Sequence, residues 1–120
     1  MAQLNQVYAM QTTFVFGDTA AKLVGSLPAN ATIISAKALV TTAFNSGTSN
    51  LLDIGTSADP DHYVDGTSLA AAGAVACTLV AGNVGIQDTN ASTPIYATHI
   101  PAGTAATTGA CEVIIEFYQN

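Results

Sequence analysis

Apolar and polar residues alternate with a period of two near the start of the chain, over residues 7–16. Such alternation places successive side chains on opposite faces of an extended strand. One face carries Tyr8, Met10, Phe14 and Phe16, and the other carries Gln11, Thr13 and Val15. The pattern predicts a half-buried strand.

Further extended segments follow, separated by clusters of turn residues. The predicted strands cover residues 22–27, 32–44, 51–54, 75–80, 94–100 and 111–118. In the segment 32–44, one face is predicted to carry Ile34, Ala36, Ala38, Val40 and Phe44. The turn-rich residues 45–50 predict that this strand and the next one form a hairpin.

One short helix is predicted near residues 59–65. Asp59 is a favourable N-cap, Pro60 suits the first helical position, and Gly66 is a typical stop. With about seven or eight strands and at most this one helix, the fold class is all-β. A single jelly-roll-like sandwich or barrel over residues 1–120 is expected, with residues 1–6 a possible N-terminal arm.

The composition favours a surface that other protein covers. Only 8% of the 120 residues are charged, and Lys22 and Lys37 are the only basic ones. The centres of interfaces are depleted of Lys, Glu and Asp, whereas a lone monomer normally keeps a charged exterior. The net charge of −6 works against nucleic-acid binding, because no basic cluster exists to neutralise phosphates.

Nothing in the sequence predicts a membrane protein or an exported one. The N-terminal residues lack a positive region followed by an apolar stretch, and the weakly polar run 69–82 is too short to span a bilayer. The chain is therefore expected to fold in a cytoplasm. Cys77 and Cys111 are expected to be two buried thiols rather than a disulfide.

Few residues offer chemistry. Asp53, Asp59, Asp61 and Asp65 are a candidate site for a hard cation such as Ca²⁺, although their spacing matches no EF-hand. The alternative is that Asp59 caps the helix, Asp61 favours its positive end, and Asp53 and Asp65 are solvated. No catalytic or cofactor-binding motif is present, so no catalytic residue and no cofactor is predicted.

The two histidines and the tyrosines complete the set of candidates. His99 is expected to be a hydrogen-bonded residue in the wall of its strand, and His62 to lie on the short helix. Tyr63 and Tyr96, with the loop 103–109, could surround a sugar. That loop is expected to be exposed and mobile.

Three stretches of the chain carry a family resemblance. They are Leu27-Pro28-Ala29-Asn30-Ala31-Thr32-Ile33-Ile34, Val40-Thr41-Thr42-Ala43-Phe44-Asn45-Ser46-Gly47-Thr48 and Leu52-Asp53-Ile54-Gly55-Thr56-Ser57-Ala58-Asp59-Pro60-Asp61. The likeness extends loosely through residues 94–97 and 113–117. In these stretches the chain resembles head decoration, or capsid cement, proteins of tailed bacteriophages.

The resemblance implies a jelly-roll-like domain that assembles with copies of itself on the outer surface of a phage capsid. There it would clamp neighbouring subunits of the major capsid protein, and a trimer is expected rather than a dimer. A carbohydrate-binding or tail-associated adhesion module is the alternative function. An enzyme with an atypical site around His99 and the carboxylates is a third. Oligomeric state, glycan binding and turnover would separate the three.

Overall fold

A computed structural model describes residues 7–18 and 20–119, and the possible arm at residues 1–6 lies outside this range. These described residues form eight strands and one short helical turn. The strands are β1 (Val7–Val15), β2 (Lys22–Leu27), β3 (Ala31–Thr42), β4 (Ser49–Gly55), β5 (Val64–Ser68), β6 (Gly73–Ala76), β7 (Thr93–Ala102) and β8 (Ala110–Gln119). The 3₁₀ turn is Ala81–Asn83.

The strands form two four-stranded antiparallel sheets that pack face to face. The first sheet has the order β1-β8-β3-β6 and the second the order β2-β7-β4-β5. Strands 1 and 8, 2 and 7, 3 and 6, and 4 and 5 are therefore neighbours, which is the wrapping of an eight-stranded jelly roll. The predicted all-β, jelly-roll-like fold is confirmed as a sandwich.

The core lies between the two sheets and is built from alternating strand positions. In β8, Cys111, Val113, Ile115 and Phe117 are buried, while the residues between them are half-exposed. Leu27, Leu52 and Ile95 meet them from the second sheet. Alternation on both sheets thus supplies one shared apolar layer, as in other sandwiches.

A bulge in β3 changes which of its residues are buried. Ala31 and Ile33 point into the core, the pairing with β8 shifts between Ile33 and Ser35, and Ala36 is then the next buried residue. Ile34 is exposed, so its predicted place on one face with Ala36 and Val40 is wrong. An extra residue in one strand reverses the parity of all later side chains.

The predicted hairpin of residues 32–44 with 51–54 is also wrong. β3 belongs to the first sheet and β4 to the second, so the connection crosses between the sheets. Asn50 stabilises the crossing, because its side-chain oxygen accepts from the Ser46 N–H at 2.9 Å and its backbone oxygen accepts from the Leu69 N–H at 2.8 Å. β4 pairs instead with β7 and β5.

Residues 59–65 do not form the predicted helix. The Thr56 N–H and the His62 N–H both donate to the Asp59 carbonyl, which closes a compact turn. The Tyr63 N–H then donates to the Ile54 carbonyl at 2.8 Å, and the chain returns along β4 as β5, a strand the sequence analysis missed. Gly55 permits this loop, because a Cβ there would overlap the Asp59 carbonyl oxygen.

Candidate functional site

The four aspartates of the candidate metal site separate into two pairs. Asp53 and Asp65 face each other across β4 and β5 on the outer surface of the second sheet. Burial raises the pKa of Asp53, and the charge of Asp65 raises it further, while a backbone hydrogen bond from Gly66 acts in the opposite direction. This pair is a repulsive contact between like charges.

Asp59 and Asp61 form the second pair, in the turn before β5. The Asp59 carboxylate lies 3.0 Å from His62 Nδ1. Hydrogen bonds from Asp61 and then from His62 lower the pKa of Asp59, while the shared hydrogen bond with Asp59 raises the pKa of Asp61. As the pH rises, Asp61 is therefore the partner that loses its proton later.

The two pairs do not combine into one coordination cluster. Within residues 7–18 and 20–119, no three side chains of His, Cys, Asp or Glu are grouped as a metal ion requires. Asp59 does not cap a helix, because residues 59–65 contain none. Asp65 is exposed, as the alternative interpretation predicted, whereas Asp53, which it also predicted to be solvated, is half-buried.

His99 lies in the middle of the core rather than in a cleft. Its ring is 2% exposed and packs between Phe14 and Phe44, with ring centroids 6.3 and 4.7 Å away. Neither ring nitrogen has a hydrogen-bond partner among the described residues. The prediction of a hydrogen-bonded wall residue is therefore wrong. Burial lowers the pKa of His99, so the neutral ring is favoured.

The structure does not bring His99 together with the carboxylates. Leu52 and His99 pair across β4 and β7 with both side chains buried. The adjacent pair, Asp53 and Thr98, faces outward. A histidine and an aspartate on opposite faces of one sheet cannot share a substrate. Asp53 is therefore not a partner for His99 in an enzyme site.

His62 has partners in the loops at one end of the sandwich. Its Nδ1 contacts Asp59, its Nε2 lies 3.3 Å from Gln87 Oε1, and its ring meets Tyr63 edge to face. Asn83 donates to its backbone carbonyl at 2.9 Å. These contacts join the turn before β5 to the 3₁₀ turn, so His62 has a structural role, although not on the predicted helix.

The tyrosines do not surround a sugar site. Tyr63 is 1% exposed, so it cannot stack on a ligand from solvent. Tyr96 is half-buried on the outer face of β7, opposite Leu23 of β2. The described surface contains no concave pocket. The carbohydrate-binding hypothesis loses one of its two aromatic residues.

The loop 103–109 is largely exposed, as predicted, and is attached to the domain by hydrogen bonds. Asn45 Oδ1 accepts from the backbone N–H groups of Thr107 and Thr108 at 2.8 and 3.0 Å, and Asn45 Nδ2 donates to Thr107 Oγ1 at 2.9 Å. The Gly47 N–H donates to the Thr104 carbonyl. The loop therefore has a defined shape against residues 43–48.

Cys77 and Cys111 are buried free thiols, as predicted. Cys111 is opposite Val40 on one side of β3, and the Cys77 N–H donates to the Ala36 carbonyl on the other side. The two cysteines therefore lie on opposite sides of β3. Burial, together with the nearby Cys77, raises the pKa of Cys111 to about 12, which keeps this thiol unreactive.

Exposed apolar side chains concentrate at one strand. Of the nine large apolar residues exposed within the described ranges, four lie in or next to β1, namely Val7, Tyr8, Val15 and Phe16. The alternation predicted Tyr8 and Phe16 on one face of a half-buried strand with Met10 and Phe14, and no site was predicted there. The signal that could have indicated one is the absence of any charged side chain in residues 1–17.

The comparison with solved structures agrees with the fold. The chain superposes on a chain of the capsid asymmetric unit of cyanophage Pam1 with a TM-score of 0.73. The alignment covers 97% of this chain and 86% of that one, at 14% identity. A chain of the capsid of Ralstonia phage GP4 gives a TM-score of 0.57 at 15% identity, covering 100% of this chain and 87% of that one.

At such low identity these likenesses show a shared fold. No family model matches the chain, and no curated protein matches it. No helix of the described residues is long and apolar enough to cross a membrane.

Proposed function

We propose that this chain is a structural protein of a phage virion that decorates the capsid. It binds the outer surface of the shell as a homo-oligomer, with three copies expected, and holds neighbouring subunits of the major capsid protein together. The observation that carries the proposal is the near full-length likeness of its jelly roll to chains of two phage capsids.

The chemistry of the surface supports a role in protein contacts. The described residues contain no pocket and no cluster of His, Cys, Asp and Glu side chains that could hold a metal ion, and charged residues are scarce. A neutral exterior costs little to desolvate when another protein covers it. The net charge of −6 opposes contact with packaged DNA, which favours the outer surface of the shell over the inner one.

Self-association would strengthen the attachment. One domain with extents of 55 × 27 × 21 Å offers each neighbouring subunit only part of its surface. An oligomer that touches several subunits at once gains effective concentration, which raises avidity by about a hundredfold or more over a single contact. A three-fold arrangement also suits positions where capsid subunits meet in threes.

Binding to stripped shells tests this function. Shells of the parent phage, emptied of DNA and freed of this protein, are mixed with the purified chain and pelleted. The proposal expects saturable binding at a fixed ratio to the capsid subunit, and a higher temperature of shell disruption. An acidic globular protein of similar size is the control for nonspecific pelleting. No saturable binding by a folded, intact chain would refute the proposal.

A further inference from the structure

The four edges of the two sheets differ in how they are protected. β2 begins at Lys22 and is interrupted by a bulge before Gly25. β5 has five residues, a shifted pairing with β4 and the charged Asp65. β6 has only four residues. Charge, bulges and shortness are the features by which natural sheets prevent other strands from adding to an edge.

β1 has none of these protections. Its nine residues pair with β8 from Val7 to Val15 without a register shift, and they include no proline and no charged side chain. Among the edges in the described part of the chain, β1 is the long, regular and neutral one. Such an edge is a template for an added strand.

The hydrogen bonds at the end of β1 show which of its backbone groups face outward. The Phe16 N–H donates to the Gly109 carbonyl at 3.0 Å, so the backbone N–H and C=O groups of even-numbered residues point towards β8. The Val15 N–H donates instead to Asp18 Oδ2 at 3.0 Å, and the Val15 carbonyl accepts from the Asp18 N–H at 2.9 Å. The backbone N–H and C=O groups of odd-numbered residues therefore point away from the sheet. Asp18 occupies those of Val15, at the end of the strand.

This alternation defines an open edge, which consists of the outward backbone groups of Val7, Ala9, Gln11 and Thr13. All four residues are exposed. The row is about 20 Å long at the usual rise of a strand. Met10, on the inner face, packs on Gly25 of β2, so the second sheet supports the edge from behind and does not cover it.

We propose that the open edge binds residues 1–6 of a neighbouring copy as an added strand, and that this contact joins the copies into a ring. The inference rests on the self-association in the proposed function. Six residues in extended form span about 20 Å, which matches the open edge. Residue 6 is bonded to Val7, where the open edge begins. In each copy, residues 1–6 are therefore joined to the chain beside the edge that binds residues 1–6 of a neighbouring copy.

The chemistry of the segment suits the edge. Neither residues 1–6 nor β1 contains a charged side chain, so the added strand brings no side-chain charges together although each copy carries −6. The segment and the edge are different surfaces, which makes the contact head-to-tail. A head-to-tail contact forms a ring when the rotation between copies closes, and each copy then both donates a strand and accepts one.

Removing the segment is the first test. Deleting residues 2–6 should weaken self-association by on the order of a hundredfold, as expected for the loss of several backbone hydrogen bonds. Analytical ultracentrifugation measures this, and the circular dichroism spectrum and melting curve of the released monomer should still show a folded sandwich. A deletion variant that self-associates like the intact chain would overturn the proposal.

A matched pair at Gln11 tests the edge itself. Gln11→Pro removes one outward N–H and no hydrogen bond to β8, so the fold should survive and self-association should weaken at least tenfold. Gln11→Ala keeps the N–H and should assemble like the wild type. Equal assembly of all three proteins would contradict the role of the edge, and an equal loss in both variants would assign the contact to the side chain instead.

Disulfide trapping separates the possible occupants. A Leu4→Cys variant is mixed with variants carrying Ala9→Cys, Gln11→Cys or Thr13→Cys and oxidised in air. At least one mixture should give linked pairs of unlike variants. A disulfide between two Gln11→Cys chains would mean that two copies pair through β1. Either that result or the absence of linkage in every mixture would refute binding of residues 1–6 to the open edge. Deletion variants that stay oligomeric but lose shell binding would assign the segment to the capsid.

The outcomes for the two proposals remain distinguishable. If the intact chain assembles through its segment but ignores stripped shells, the proposed function fails and the strand exchange stands. If the deletion variant still assembles and binds shells, the strand exchange fails and the proposed function stands.

Discussion

Replacing His99 with leucine should stabilise the domain and remove most of its sensitivity to mild acid. The neutral ring contributes one donor and one acceptor to a site where neither has a partner among the described residues. An unpaired buried polar group costs about 1–3 kcal/mol. The ring contacts of His99 with Phe14 and Phe44 stabilise the folded state by about 1 kcal/mol. Leucine fills a similar volume without polar atoms, so His99→Leu should gain about 1 kcal/mol at pH 7.

The pH dependence follows from the lowered pKa of His99. Its folded pKa lies below the ordinary value of 6.5, so on acidification the unfolded chain takes up a proton before the folded one does. His99 therefore causes no pH-dependent loss of stability above pH 6.5. As the pH falls through 6.5 towards the folded pKa of His99, the free energy of unfolding decreases. Each pH unit in that window removes at most about 1.4 kcal/mol.

Urea unfolding at several pH values and one protein concentration measures both effects. The wild type should lose stability between pH 6.5 and 5, and His99→Leu should lose far less. His62→Gln is the comparison variant, because it removes the half-exposed histidine and leaves the buried ring of His99 in place. If His99→Leu shows the same slope as the wild type, or is less stable at pH 7, the description of an unpaired histidine in an apolar core is refuted.

Other parts of the fold give four further expectations. Asp53→Asn should stabilise the domain at pH 7 by about 0.5 kcal/mol, because it removes the like charge opposite Asp65, and the gain should vanish near pH 3 in urea titrations. Asn45→Ala should cost about 2 kcal/mol in the same assay, because it frees three hydrogen bonds to the loop 103–109. Gly109→Ala should prevent folding or cost at least about 3 kcal/mol, since its φ is +148° and a Cβ would overlap the Phe44 ring; a soluble variant with an unshifted melt would contradict this. Calcium should leave the melting temperature unchanged, and a raised melt would restore the metal hypothesis.

Strands with regular alternation could be predicted from the sequence alone. β2 starts and ends where the pattern placed it, and β8 buries the predicted residues Cys111, Val113, Ile115 and Phe117. β7 extends over both of its prolines, which lie near its two ends where a missing donor disturbs little pairing. Local patterning decides these elements, because each has one face in the core.

Features that depend on contacts distant in sequence could not be predicted. The exposure of Ile34 results from a bulge against β8, which no local pattern indicates. The turn at residues 56–62 has the composition of a helix start, yet the Tyr63 N–H bonds to Ile54 and begins a strand. In both places tertiary pairing overrides the local preference.

The candidate site shows the same division. Sequence reasoning found the residue types that could do chemistry, but not that His99 and Asp53 lie on opposite faces of one sheet, because the register between β4 and β7 decides that. It also missed the open edge of β1. Whether a strand lies at the edge or the centre of a sheet is a property of the strand order.

Cryo-electron microscopy of the parent particle tests the central claim most directly. The account predicts that the jelly roll, with extents of 55 × 27 × 21 Å, fits density repeated at equivalent positions on the outer surface of the shell, where copies bridge neighbouring capsid subunits. A particle that contains the chain only in its tail, or only inside the shell, would contradict the account.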